Sequence, residues 1–421
     1  MTVSDDTFGR DLERWLRDEG ERRVPDHLGE VLVRTAATRQ RPWWSSPERW
    51  LPMDSVASPR ATNLRPILVF LIASILVVGA VGVAYVASRP RIPFGPASNG
   101  RIYVPTGQTI VSYAADGSDP EPLVDAPETN LVSMSPDGTR IAFWQGPDNG
   151  SVRIVPVEGG TPVTVSMPDG IFAGDPIAWS PDSSRIAFPA FRAGFSEEFL
   201  YVANADGTGA TRLGGEAIPS TTAIWWPKFS PDGEWISYIG VPNGAGKDPA
   251  PGDLNLIHTD GTGLVMIATG VDVEGAGFEP WSPDPARPRL VYTMGNGTRV
   301  YDVVSGKTTV LGVGFWPSWS PDGQRIASWS NGLVVVDPDD APFTSDESLR
   351  VGPVLNGTCQ ENSELAGKAI CSAVTWSPDG TRVLGTDVGG GGIVSLPVDG
   401  QGEPILLPAP GAESGAWQPV R

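Results

Sequence analysis

The chain has 421 residues, 51 of them Gly and 42 Pro, a turn-rich composition that suits an all-β repeat protein with ample length for a core. Its net charge of −19 argues against nucleic acid as a partner, and against docking by charge onto anionic lipid or acidic polymers. Its two His, His27 and His258, lie on opposite sides of a long apolar run and its two Cys read as bonded to each other, so an ordinary zinc site is not expected, nor is another metal or cofactor.

Residues 1–40 read as a short helical segment. Asp5 and Asp6 can cap a helix in which Phe8, Leu12, Trp15 and Leu16 share one face at helical spacing, and a second helix starts near Pro25 with Leu28, Val31 and Leu32 as its stripe. Two such helices bury little by themselves. The Phe8, Leu12, Trp15 and Leu16 face is therefore a candidate docking surface for a protein partner. Residues 41–65, rich in Pro and Trp, read as a juxtamembrane linker.

Residues 66–87, PILVFLIASILVVGAVGVAYVA, form an uncharged apolar run of 22 residues, long enough to cross a bilayer as a helix. A cleaved signal peptide fits less well, because 65 residues precede the run. Local charge leaves orientation nearly balanced: Arg49, Arg60 and Arg65 stand before the run, and Arg89, Arg91 and Arg101 after it. The wider flanks decide. Residues 1–65 hold eleven Arg against eleven Asp plus Glu, so the whole acidic excess lies beyond the run. The only cysteines, Cys359 and Cys371, lie in a polar insertion whose spacing suits a loop-closing disulfide in an oxidising compartment; a pair of free thiols is the alternative. The expectation is a single-pass protein of the cell membrane, with its N-terminus cytoplasmic and residues 100–421 outside, joined by a linker at 88–99.

From residue 100 onward the chain repeats. Ser135-Pro136-Asp137-Gly138 recurs at Ser180, Ser230, Ser282, Ser320 and Ser377, with Ser183 and Pro285 in place of Gly in the second and fourth copies. Successive copies lie about 38 to 57 residues apart, the length of a four-stranded propeller blade. In each turn Pro presets one corner, Asp can bond the local chain and Gly accepts a positive φ. A short strand ending in Met134, Trp179, Phe229, Trp281, Trp319 or Trp376 precedes it, and an apolar strand such as RIAFW follows. Asp-Gly turns, as at Gly117, Gly207, Gly261 and Gly400, then join third strands to fourth strands.

The two ends complete each other. Residues 100–125 read as strands two to four of a blade lacking its first, and GAWQPVR at 415–421 reads as a lone first strand. One closing blade shared between the ends explains both fragments and removes exposed sheet edges. Seven blades are expected, or six if the irregular fourth copy is not a blade. The Ser-Pro-Asp-Gly units and the Trp417-Gln418-Pro419 ending resemble the TolB-like, WD-like β-propeller repeats of the bacterial cell envelope. That resemblance implies an all-β propeller over residues 100–421 and leaves function open.

No nucleophile elbow, P-loop or histidine pair is present, and the chain is not expected to be an enzyme. His258 reads as an ordinary strand residue, and the turn aspartates are explained by their turns rather than by calcium. In a propeller the loops joining second to third strands, and one blade to the next, share a face. The insertions Val241 to Asp253 and Asn356 to Ser372 should crowd it, and Asp175, Trp226, Glu279 and Trp316, at the starts of inner strands, should rim the channel there. Acidic and aromatic side chains together suit a peptide or an envelope glycan. The chain is thus expected to be a binding or sensing module. Its layout is also similar to that of membrane-bound anti-sigma factors, which implies a transmembrane regulator whose N-terminal helices hold a cytoplasmic partner. An envelope hydrolase or lyase using channel carboxylates is the reading from another class.

Overall fold

A computed structural model describes residues 95–421 apart from several connecting stretches, of which 242–250 and 340–374 are the longest. The helices and apolar span expected in residues 1–94, including the Phe8, Leu12, Trp15 and Leu16 face, lie outside the described residues, as does the Cys359 and Cys371 pair. Among the described residues no helix is long and apolar enough to cross a membrane.

The repeated turn builds itself. Ser135 Oγ donates to Asp137 Oδ1 at 2.6 Å, the same carboxylate oxygen accepts the Thr139 N–H at 3.0 Å, and Ser135 Oγ accepts the Arg140 N–H at 2.9 Å. One Ser and one Asp thereby tie the end of the inner strand to the start of the next. The bonds recur around Asp182 and Asp379. Gly138 takes φ 71°, and Ser183 adopts the same left-handed region at φ 59°. The hydroxyl of Ser183 compensates by accepting the Asp137 N–H of the preceding blade at 3.1 Å. In the fourth copy Pro285 stretches the turn, yet Ser282 Oγ still accepts the Arg289 N–H at 3.1 Å.

Seven antiparallel sheets follow, each a meander running outward from its turn. Blade 1 comprises Val132–Met134, Arg140–Gln145, Ser151–Pro156 and Val163–Thr164. In blade 2 the inner strand is interrupted into Ile171–Ala173 and Ala178–Trp179, both pairing with Arg185–Arg192. Blade 3 runs Ala223–Phe229, Trp235–Val241, Gly252–His258 and Val265–Val271. The irregular fourth copy is a blade: Arg289–Met294, Gly297–Asp302 and Lys307–Val313 form its sheet, and its inner strand is reduced to a bridge between Trp281 and Leu290. Blade 5 shows three strands, Phe315–Trp319, Ile326–Trp329 and Leu333–Val336, and residues 340–374 after it are not described. Blade 6 begins at Thr375–Trp376 and ends at Ile405–Pro408. Blade 7 closes the ring, with Ala416–Val420 paired to Ser98–Pro105 through Ile102↔Trp417 and Tyr103↔Ala416.

The ring has no single core. Seven apolar clusters each fill the space between two neighbouring blades, for example Ala178, Leu200, Ile224, Phe229 and Ile236 between blades 2 and 3. Blade 7 is held on both sides: Ile102, Tyr113 and Trp417 pack with Leu384 and Leu407 of blade 6, and Tyr103 and Ile110 pack with Ile141 and Phe143 of blade 1. Each sheet is thus covered on two faces, which is why second strands such as Arg185–Arg192 and Trp235–Val241 read as nearly continuous apolar runs.

Candidate functional site: the central channel

The inner strands converge on the axis, and in several copies the aromatic residue before Ser-Pro latches one blade to another. The Trp179 indole N–H donates to Ser133 O of blade 1 at 3.0 Å, and the Trp376 indole to Ser318 O of blade 5 at 3.0 Å. The Arg that follows the turn completes the latch. Arg140 lies 5.0 Å over Trp179, Arg289 4.5 Å over Trp319 and Arg325 5.2 Å over Trp376, each over the next blade's ring. His258, in blade 3, stacks on Trp235 at 3.6 Å, a structural contact.

A cavity of about 340 Å³ occupies the axis and touches all seven blades. At one end Pro136, Pro181, Pro231, Pro283, Pro321, Pro378 and Pro419, the prolines of the turns, surround it together with Arg421. The chain enters here. Ala97 N–H donates to Pro378 O at 2.9 Å, and Arg421 Nη2 donates to Gly95 O at 3.2 Å. Further in, the wall carries Lys228 and Glu279, whose Nζ and Oε1 are 3.8 Å apart. Lys228 also lines a second, small cavity of about 30 Å³ with Asp175, Pro176 and Trp226, so it stands where the two spaces meet.

Three of the four rim residues expected from the sequence line these cavities: Asp175 and Trp226 the smaller one, Glu279 the larger. Trp316 is not among the lining residues; it packs, half buried, against the cluster of Ala327, Trp329 and Trp376. Trp226 and Trp316 share a left-handed backbone, φ 52° and 50°, each at an irregularity in its inner strand.

Sequence reasoning missed two residues. Lys228 is one of four lysines in the chain and fills a position where the other copies carry Ser133, Ala178, Pro280, Ser318, Thr375 or Ala416. That departure from a small residue was the available signal. Glu198 sits half buried at the start of a third strand, where its Oε2 accepts the Ile224 N–H at 2.6 Å. Burial pushes its carboxyl above the ordinary value, the Ile224 bond opposes this, and the charge of Asp175 adds to the rise.

No protein-family model matches the chain, and no curated protein matches it in sequence. Solved structures do match. Puromycin hydrolase is similar with a TM-score of 0.52 at 17% identity, over 77% of this chain and 55% of that one. TolB from Acinetobacter baumannii gives a TM-score of 0.43 at 16% identity, over 76% of this chain and 67% of that one. An oligogalacturonate lyase in complex with manganese gives 0.49 at 13% identity, over 68% of this chain and 81% of that one. The chain spans about half the length of the hydrolase. A propeller hosts unrelated activities, so the likeness stops at architecture: the described residues of this chain form a seven-bladed, all-β propeller.

Proposed function

We propose that the chain is a membrane-anchored, extracytoplasmic propeller that acts as a binding or sensing module for a ligand or protein. The observation that carries this reading is the central cavity of about 340 Å³, walled by all seven inner strands and bearing the Lys228 and Glu279 charges. Such a cavity is of the size that takes small ligands. The anchor rests on the apolar run at 66–87, and the outward placement of the propeller rests on the flanking charge.

Intact cells bearing the full chain, treated with external protease, should lose the propeller while keeping a membrane-bound fragment of residues before 95. A chain found in the soluble fraction, or fully protected, would sink the topology. Crosslinking of the same full chain tests the regulator layout: a cytoplasmic partner lost in the Leu12→Asp, Leu16→Asp variant would make residues 1–64 the output of the sensor.

The hydrolase or lyase reading draws on the raised Glu198 carboxyl near Asp175. The space beside Asp175 is about 30 Å³, room for a water rather than a substrate. Binding is therefore the better-supported role.

A further inference from the structure

Lys228 is an unusual residue to place on a propeller axis. Its side chain is 17% exposed, and among the described residues its only partner is Glu279, at 3.8 Å and itself 56% exposed. An ammonium carries three donors. A single contact beyond hydrogen-bond length leaves that capacity unused, while Glu279 keeps its own access to water. The rest of the wall is mixed: the turn prolines and Trp179, Phe229, Trp281 and Trp376 give it apolar surface, and Arg421 adds a second cation at the proline end. A half-buried cation with donors facing the cavity, in a protein of net charge −19, offers an anion a charge-assisted hydrogen bond.

We propose that the central channel binds a small organic acid with an apolar body, whose carboxylate takes the Lys228 ammonium and displaces Glu279. This rests on the reading of the propeller as a binding module and names its ligand class. The carboxylate accepts hydrogen bonds from Nζ, the apolar body lies among the turn prolines and aromatic edges, and Glu279 turns to solvent. The geometry selects charge and shape together. A neutral molecule of the same shape leaves Lys228 as it is, and a strongly hydrated dianion gains nothing from the prolines and aromatic rings.

The test uses the full chain in detergent or nanodiscs and two probes of nearly equal size, 2-naphthoate and uncharged 2-naphthylmethanol, titrated by calorimetry. The wild type should bind 2-naphthoate and discriminate against the alcohol by about tenfold or more, the scale of a charge-assisted bond. Lys228→Met should abolish that discrimination, Lys228→Arg should restore part of it, and Glu279→Gln, which removes the competing carboxylate, should tighten naphthoate binding. The Glu279→Gln arm guards against a Lys228→Met variant that merely misfolds. Equal binding of acid and alcohol, or discrimination unchanged in Lys228→Met, overturns the proposal and leaves the channel a binding site of another chemistry. Binding of neither probe also overturns it, while the crosslinking and protease experiments decide the binding-module reading separately.

Discussion

At the residue scale the turn aspartates carry the fold. Burial works to raise the Asp137 carboxyl, but the bonds from Ser135 and Thr139 and the charge of Arg140 outweigh it, and the carboxyl ends below its ordinary value. Against burial, Asp182 is lowered in the same way by Ser180, Ser184 and Arg185, and Asp379 by Ser377, Thr381 and Asn99. A folded-state value depressed in this way contributes stability that is present above the ordinary carboxylate range, about pH 4, and is lost as pH falls through the folded value. Urea unfolding should therefore show stability falling below about pH 4. Asp137→Ala should cost about 1–3 kcal/mol at pH 7, since it strips an acceptor from three donors, and should flatten the acid limb. A variant as stable as the wild type at pH 7 would show that the turn holds without its carboxylate. The residue scale is also where sequence reading was strongest, because every partner of Asp137 in the turn lies within three positions of it.

At the scale of one element, the turn of blade 1 docks on the inner strand of blade 7. Gly138 combines φ 71° with a neighbour: a Cβ there would stand 2.3 Å from Pro419 O. Gly159 has a similar φ, 87°, and nothing within 4 Å of its Cβ position. The two separate backbone strain from collision. Gly159→Ala should cost about 1–2 kcal/mol from the left-handed backbone alone. Gly138→Ala should cost roughly 2 kcal/mol more, because backbone must move. Comparable denaturation midpoints for the two variants would mean that the blade 1 to blade 7 contact is loose. The same scale explains why the aromatic rim was only partly legible. Trp226 and Trp316 have the same local sequence, Trp-Pro two residues before an aromatic and Ser-Pro, and nearly the same φ. Both pack on a cluster between two blades, but only Trp226 also lines a cavity beside Lys228; the difference lies in the neighbouring blades, which local sequence does not record.

For the whole molecule, the ring is as strong as its shared blade. Trp417 is 4% exposed and packs against Ile102, Leu384 and Leu407, holding the last strand to the first and to blade 6. Trp417→Ala should cost about 3–5 kcal/mol, as a large buried side chain does. Calorimetry should show the loss as a lower and broader transition, since each blade is stabilised chiefly by its two neighbours. A sharp transition at the wild-type temperature would mean that the ring does not depend on this closure.

The sequence by itself determined the turn, the blade length and the sharing of the closing blade, because each is written in turn chemistry and periodicity, and it left the count at seven or six. The irregular fourth copy was the one open point. Tertiary structure decided it, as Arg289–Met294, Gly297–Asp302 and Lys307–Val313 fill the space between blades 3 and 5. Tertiary structure alone also decided what faces the axis. Lys228, Glu279 and Arg421 line one cavity only because seven inner strands are bent into a ring, which brings together residues up to 193 positions apart. Side-chain chemistry on an axis is a property of closure, and no single repeat contains it.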